Sequence, residues 1–108
     1  MFVRKVTILL KLNSISKFSR LMKEEVIPTL RKENGFQDVI TFFAPSEDAV
    51  TGISLWDKVS NAETYGRDTY PAVVKKLAVL IEGTPKVDTY ETLNSTFHKS
   101  ATMLAAAA

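Results

Sequence analysis

The 108-residue sequence is long enough for one compact domain, and it carries a net charge of +2 with acidic and basic residues interleaved. Its basic clusters are too short to predict a nucleic-acid surface, and none of its apolar stretches reaches the roughly 20 residues that a membrane helix needs. The absence of cysteine excludes disulfides, thiol nucleophiles and thiolate metal sites, and it is compatible with a reducing cytoplasm, where we expect the protein to act.

The N-terminal part predicts a strand followed by a helix. Apolar and polar residues alternate over residues 3–12, which is typical of a strand with one buried face. Apolar side chains then recur every three or four residues over residues 18–30, so this stretch predicts an amphipathic helix. Pro28 lacks a backbone N–H and predicts a kink near Glu24–Glu25, while Gly35 predicts a left-handed end of the helix.

The central part predicts a hairpin. The stretch from Phe36 to Ala44 is rich in aromatic and β-branched residues, and a second strand from Ala49 to Trp56 follows after a short turn. Gly52 lies in the middle of this second strand. A glycine there indicates a bulge, or a close approach by another backbone or a ligand.

The C-terminal part predicts two helices and a last strand. Pro71 divides the helical region into a short helix over residues 61–68 and a longer one over 71–82, with Gly83 at its end. The fourth strand is expected over residues 87–97, with a bulge because its apolar residues change face.

The domain organisation follows from these elements. We take residues 1–97 as a single domain. Residues 98–108 are rich in alanine and predict either a tail or an arm that crosses to a partner chain.

The order strand, helix, strand, strand, helix, strand predicts an α+β fold, the ferredoxin-like βαββαβ domain with a four-stranded antiparallel sheet. Two helices cover one face of such a sheet. The strands carry more apolar residues than one face needs: Leu9, one of Phe42 and Phe43, and one of Ile53 and Trp56. We therefore predict a homodimer in which the open sheet faces of two copies meet around a two-fold axis.

Four segments of the chain resemble one known group of proteins. They are IPTLRKENGF at 27–36, SLWDK at 54–58, AETY at 62–65 and GTPKVDTYE at 83–91. The resemblance is to the dimeric α/β barrel superfamily, and within it to the antibiotic-biosynthesis-monooxygenase-like (ABM-like) branch. It implies that two subunits join their sheets into a barrel-like dimer, and that each holds a pocket capped by the segment from Trp56 to Tyr70.

The resemblance also implies site residues. Family members that oxygenate polycyclic aromatics without a metal or flavin use a strand tryptophan and a nearby tyrosine, which match Trp56 and either Tyr65 or Tyr70. The asparagine that such enzymes carry has no counterpart at 51–54. In the other interpretation, Trp56 and Tyr65 are core residues with a polar group at the rim. The pocket candidates are Trp56, Tyr65, Tyr70, Phe18, Met22, Phe42 and Gly52.

Two functions stay open. The first is a dimeric protein that binds a small molecule, such as an aromatic one, in an apolar pocket near Trp56. The alternative is a cofactor-independent monooxygenase that acts on a phenolic or quinol-type aromatic substrate. Haem degradation is not expected, because the second helical region over 61–81 has no histidine and His98 is expected on the surface. We predict no cofactor, no metal, and neither nucleic acid nor membrane as a partner.

Overall fold

The computed structural model describes residues 1–96, so the segment 98–108 predicted as a tail, including His98, lies outside the described residues. Four strands form one antiparallel sheet: β1 (Phe2–Leu10), β2 (Phe36–Ala44), β3 (Ala49–Trp56) and β4 (Ile81–Glu91). They are ordered β2-β3-β1-β4 across the sheet. This is the α+β, ferredoxin-like βαββαβ arrangement that the sequence predicts.

Four short helices lie between the strands. The helices α1 (Ile15–Leu21) and α2 (Ile27–Arg31) connect β1 to β2, and α3 (Val59–Asp68) and α4 (Tyr70–Leu77) connect β3 to β4. Within residues 1–96, no helix is long and apolar enough to cross a membrane.

Pro28 explains why the first helical region is interrupted. It cannot donate a hydrogen bond to the carbonyl of Glu24. A π-helical turn over Met22–Val26 separates α1 from α2 at this point, where the sequence predicts a kink. The left-handed glycine is also present, since Gly35 has a φ of 79° in the turn between α2 and β2.

The predicted boundaries of the last helix and the last strand are wrong. The sequence predicts a helix over 71–82, but α4 ends at Leu77 and a 3₁₀ turn over Ala78–Leu80 leads directly into β4. The strand runs from Ile81 to Glu91 rather than over residues 87–97. Leu80 and Ile81 are both buried and continue the apolar stripe of α4. The backbone nevertheless changes from the 3₁₀ turn, which ends at Leu80, to the extended strand that begins at Ile81.

Gly83 consequently lies within a strand and does not end a helix. Residues 83–85 form a bulge opposite Ile8, because Thr7 pairs with Lys86 and Leu9 pairs with Glu82. A φ of 69° at Gly83 accommodates this bulge. The first strand is also shorter than predicted, since β1 ends at Leu10.

The core lies between the helices and the inner face of the sheet. The register places Val6, Gly52 and Thr41 side by side on this face. The core is made of thirteen buried residues: Ile8, Leu10, Phe18, Val26, Leu30, Val50, Trp56, Ala62, Tyr65, Val73, Leu77, Leu80 and Ile81. Trp56 is completely buried and sits at the end of β3.

None of the helices α1 to α4 covers the outer face of the sheet. Four large apolar side chains on this face are about half exposed: Leu9, Ile40, Phe42 and Tyr90. We refer to these four residues as the outer patch. The register aligns Ile40 with Ile53 and Phe42 with Thr51, so the patch runs across neighbouring strands.

Candidate functional site

A cavity of about 70 Å³ lies between the inner face of the sheet and the helices. Val6 and Val50 of the sheet and Phe18, Met22 and Val73 of the helices make its apolar wall. Thr41 on the edge strand β2 also lines the cavity and is exposed, so the cavity reaches solvent on this side.

Gly52 creates part of the space. It pairs in regular register with Val6 on one side and Thr41 on the other, so the bulge that the sequence suggests is absent here. A Cβ atom at Gly52 would meet no atom within 4 Å. The missing side chain therefore leaves open volume at the centre of the inner face.

Arg4 is the polar residue that the sequence analysis missed. It lies on β1 and is only 7% exposed. Its guanidinium carbon lies 4.2 Å from the centre of the Tyr70 ring and 5.2 Å from that of Tyr65. Such cation–π contacts contribute about 0.5–2 kcal/mol each, whereas burying an ion costs several kcal/mol. The alternation of Arg4 with Val6, Ile8 and Leu10 is the signal that could have placed it on the inner face.

The guanidinium of Arg4 has no ionic partner in the part of the chain that the structure describes. It makes neither an ion pair nor a hydrogen bond with any side chain or carbonyl of residues 1–96. Burial lowers the pKa of Arg4, while the two neighbouring phenols act in the opposite direction. An arginine nevertheless stays ionised in proteins, so the wall of the cavity carries a positive charge.

The two tyrosines beside Arg4 supply protonated hydroxyls. Burial raises the pKa of Tyr65 to about 12, although the positive charge of Arg4 opposes the increase. Burial also raises the pKa of Tyr70, again against the effect of Arg4. The Tyr70 hydroxyl oxygen is buried and has no hydrogen-bond partner within residues 1–96. Both phenols therefore remain hydrogen-bond donors at neutral pH.

Trp56 supports the cavity from behind and is not part of its wall. Its indole N–H donates a 2.9 Å hydrogen bond to the hydroxyl of Ser54, which does line the cavity. Its ring centre lies 5.1 Å from that of Tyr65 and 5.7 Å from that of Phe36. The indole thus holds Ser54 and Tyr65 in place. These two residues line the cavity, whereas the indole itself does not.

The structure brings five of the seven pocket candidates to the cavity wall: Phe18, Met22, Gly52, Tyr65 and Tyr70. Trp56 lies behind the wall. Phe42 lies on the outer face of the sheet, because it pairs with Thr51 and is 51% exposed. No group of three or more histidine, cysteine, aspartate or glutamate residues within 1–96 could hold a metal ion.

Comparison with known proteins shows a similarity of fold only. No protein-family model matches the sequence, and no curated protein matches it significantly. Many solved structures do match over most of the chain.

Three of these structures illustrate the similarity. A monooxygenase from the ActVA-Orf6 gene of Streptomyces coelicolor, solved with nanaomycin D, is 21% identical over 89% of this chain and 90% of its own, with a TM-score of 0.74. A protein of unknown function from Nitrosomonas europaea is 13% identical over 89% and 92%, with a TM-score of 0.75. An antibiotic biosynthesis monooxygenase is 14% identical over 87% and 100%, with a TM-score of 0.69. At these identities the similarity is one of fold.

Proposed function

Because the chain has the fold of the ABM-like branch of the dimeric α/β barrel superfamily, we propose that it is a dimeric protein that binds a small molecule in the cavity in front of Trp56. The strongest support for this binding function is the composition of the cavity wall. Apolar side chains enclose a space into which one buried cation, Arg4, and two phenols, Tyr65 and Tyr70, converge. Ligand sites in proteins typically combine an apolar wall with a few converging polar groups.

The volume of the cavity limits the size of the ligand. An engineered apolar cavity of about 150 Å³ holds a benzene ring, and this cavity has about half that volume, 70 Å³. A single ring therefore fits only if a wall side chain moves or if part of the ligand extends into solvent, and a polycyclic compound fits less well still. Met22 lines the wall, is partly exposed and has a flexible side chain, so it is the residue that would move to admit a ring.

We also propose that the outer patch is the surface through which two copies associate. Four half-exposed apolar side chains on one antiparallel sheet face are more than scattered surface residues, and a two-fold axis lets one patch cover its own copy. The cavity lies on the other face of the sheet, so each subunit keeps its own site. A reducing cytoplasm is the proposed setting, with which the cysteine-free sequence is compatible.

A binding experiment tests the proposed site. We expect uncharged single-ring probes (phenol, benzyl alcohol and benzamide) to shift the backbone amide signals of Val6, Gly52 and Ser54 in ¹H–¹⁵N NMR spectra. Gly52→Val places a side chain in the open space and should abolish these shifts without unfolding the strand, since valine is favoured in strands.

Thr51→Val is the matched control for this experiment. It makes a β-branched substitution at the neighbouring position, on the outer face, and should leave binding unchanged. If no single-ring probe, charged or uncharged, shifts the cavity amides, or if Gly52→Val binds the probes as the wild type does, the proposed function is wrong.

A second candidate is a cofactor-independent monooxygenase, which the unpartnered Tyr70 hydroxyl beside Arg4 favours. In such a reaction one atom of O₂ bonds to a ring carbon of a phenol in place of its hydrogen. The other atom leaves as water with the two hydrogens that the phenol loses, and the product is a quinone. The ring supplies the electrons, so the protein has to bind and orient the phenol and stabilise its ionised form.

Oxygen consumption separates the two candidates. For the monooxygenase, we expect oxygen uptake with one member of a panel of single-ring phenols and hydroquinones, and a slower rate for Tyr70→Phe. If the wild type consumes no oxygen above background with any of them, the protein is a binding protein only.

A further inference from the structure

We propose that the cavity selects a small, single-ring acid, and that Arg4 is the residue that binds its ionised oxygen. The inference rests on the proposed function, because it assumes that the cavity takes a ligand, and it adds the chemical class of that ligand. The shared chemistry is an anionic oxygen, which a carboxylate or a phenolate can supply.

Within residues 1–96, no ionised group compensates the charge of Arg4. The groups that act on it electrostatically there are the phenols of Tyr65 and Tyr70, which are neutral at physiological pH. Glu63 borders a surface hollow on the other side of Arg4, but it is exposed and forms no ion pair with it within the described residues. A buried charge normally has a partner, so a ligand that brings one gains more here than on the surface.

The polar groups around the cavity are mostly hydrogen-bond donors. A guanidinium donates up to five hydrogen bonds and accepts none. The phenol of Tyr70 is protonated and its oxygen has no partner among residues 1–96. The hydroxyl of Ser54 already accepts from Trp56 and points its own proton at the carbonyl of Arg4, 3.4 Å away. A ligand group that only accepts, as an anion does, therefore matches this set better than a donor does.

The helix α3 and two aromatic rings hold the guanidinium of Arg4 in place. A Cβ atom at Gly66 on α3 would lie 3.4 Å from Nη2 and 3.5 Å from Nε of Arg4, which is ordinary van der Waals contact, so the helix lies close to the planar group. Together with the rings of Tyr65 and Tyr70, it holds this group between the sheet and the helices. A group held in this way offers its donors in a fixed orientation, which favours recognition of a planar acid.

The test compares pairs of ligands that have similar shapes and different charge. Benzoate and benzamide form one pair, and 4-nitrophenolate and 4-nitroanisole form the other. We expect the anion of at least one pair to bind the wild type about tenfold more tightly than its neutral partner, since charge-assisted hydrogen bonds are roughly twice as strong as neutral ones. The pair that shows the larger difference tells whether the acid is a carboxylate or a phenolate.

Substitution of Arg4 completes the test. Arg4→Met removes the charge and keeps most of the volume, so the preference for anions should disappear while neutral probes still bind. Arg4→Lys keeps the charge without the planar donors and should keep a reduced preference. The comparison in the wild type does not depend on either variant being folded.

The possible failures are distinguishable. If anions and neutral partners bind the wild type equally, or if Arg4→Met keeps the preference, this inference is wrong while the binding function stands. If none of the four compounds binds and the uncharged probes also fail, the proposed function itself is wrong.

Discussion

Tyr65 shows how a single buried side chain sets the chemistry of the cavity wall. Its ring contacts Trp56 and Arg4, and its burial raises the pKa of its phenol to about 12. The neutral phenol is therefore the form that the folded protein accommodates. Among the described residues that line the cavity, Arg4 is the charged one, while Glu33 acts electrostatically on Tyr65 from outside the wall and favours its neutral phenol.

Alkaline pH should destabilise the protein through Tyr65. The ordinary pKa of the phenol is 10.0 and its folded value is about 12, so the stabilisation is complete below pH 10 and is lost as the pH rises to about 12. A difference of two pKa units corresponds to about 3 kcal/mol of unfolding free energy. Urea unfolding measured across this pH range should show the decrease.

Tyr65→Phe is the control for this prediction. The variant lacks the ionisable group and should lose less stability over the same pH range, although the raised pKa of Tyr70 leaves part of the decrease in place. An equally steep decrease in Tyr65→Phe would show that another group is responsible.

The residue scale also shows what the sequence could and could not reveal about the site. Phe18, Met22 and Tyr65 follow helical periodicity, so their inward orientation could be predicted. Arg4 could not be recognised as a site residue by composition, because a charged residue near a terminus is usually on the surface. Its burial depends on the rings of Tyr65 and Tyr70, which come from residues distant in the sequence.

At the scale of secondary structure, a turn glycine connects the end of α2 to the beginning of α3. The carbonyl of Gly35 accepts a 2.9 Å hydrogen bond from the backbone N–H of Asp57. The side-chain amide of Asn61 donates a 2.8 Å hydrogen bond to the Asp57 carboxylate, which lies directly against Gly35. This contact fixes the position of α3, the helix that carries Tyr65.

Gly35→Ala and Gly83→Ala form a matched pair that tests this contact. Both glycines have positive φ, so each alanine variant should lose about 1–2 kcal/mol from backbone strain. A Cβ at Gly35 would also overlap the side chains of Asp57 and Asn61, whereas one at Gly83 would meet nothing within 4 Å. Chemical denaturation should therefore show a loss for Gly35→Ala that is larger by roughly 1 kcal/mol or more, the value of the disturbed hydrogen bonds.

Equal losses in the two variants would contradict this description of the turn. The difference between them, rather than either value alone, carries the information, since the backbone contribution cancels.

Element boundaries were predictable where a local signal marks them. The hairpin from Phe36 to Trp56 was predicted with the correct ends because the turn residues between its strands are unambiguous. The transition from α4 to β4 was not, since the apolar spacing of Leu77, Leu80 and Ile81 suits a helix as well as the start of a buried strand. Pairing of β4 with β1, a contact between distant parts of the chain, decides the boundary.

At the scale of the whole molecule, the sheet separates two surfaces with different roles. The inner face and the helices enclose the cavity, and the outer face carries the outer patch. The order of elements was sufficient to predict this division, because the ferredoxin-like connection places both pairs of helices on one side. The proposed dimer would therefore cover the outer patch and leave both cavities accessible.

Substitution in the outer patch should separate association from folding. We expect the wild type to sediment with the mass of two chains and Phe42→Asp to sediment with the mass of one, because the charge would be buried at the proposed interface. Val79→Asp changes an exposed apolar residue in the 3₁₀ turn, away from the sheet, and should remain dimeric. A wild type that sediments as a single chain at every concentration would refute the proposed dimer.

The most direct test of the proposed site is to locate a bound ligand by intermolecular nuclear Overhauser effects. With benzoate bound, we expect contacts between its ring protons and the methyl groups of Val6 and Val50, which line the cavity on the inner face of the sheet. Contacts confined to Leu9 and Ile40 of the outer patch would contradict the assignment of the cavity as the binding site.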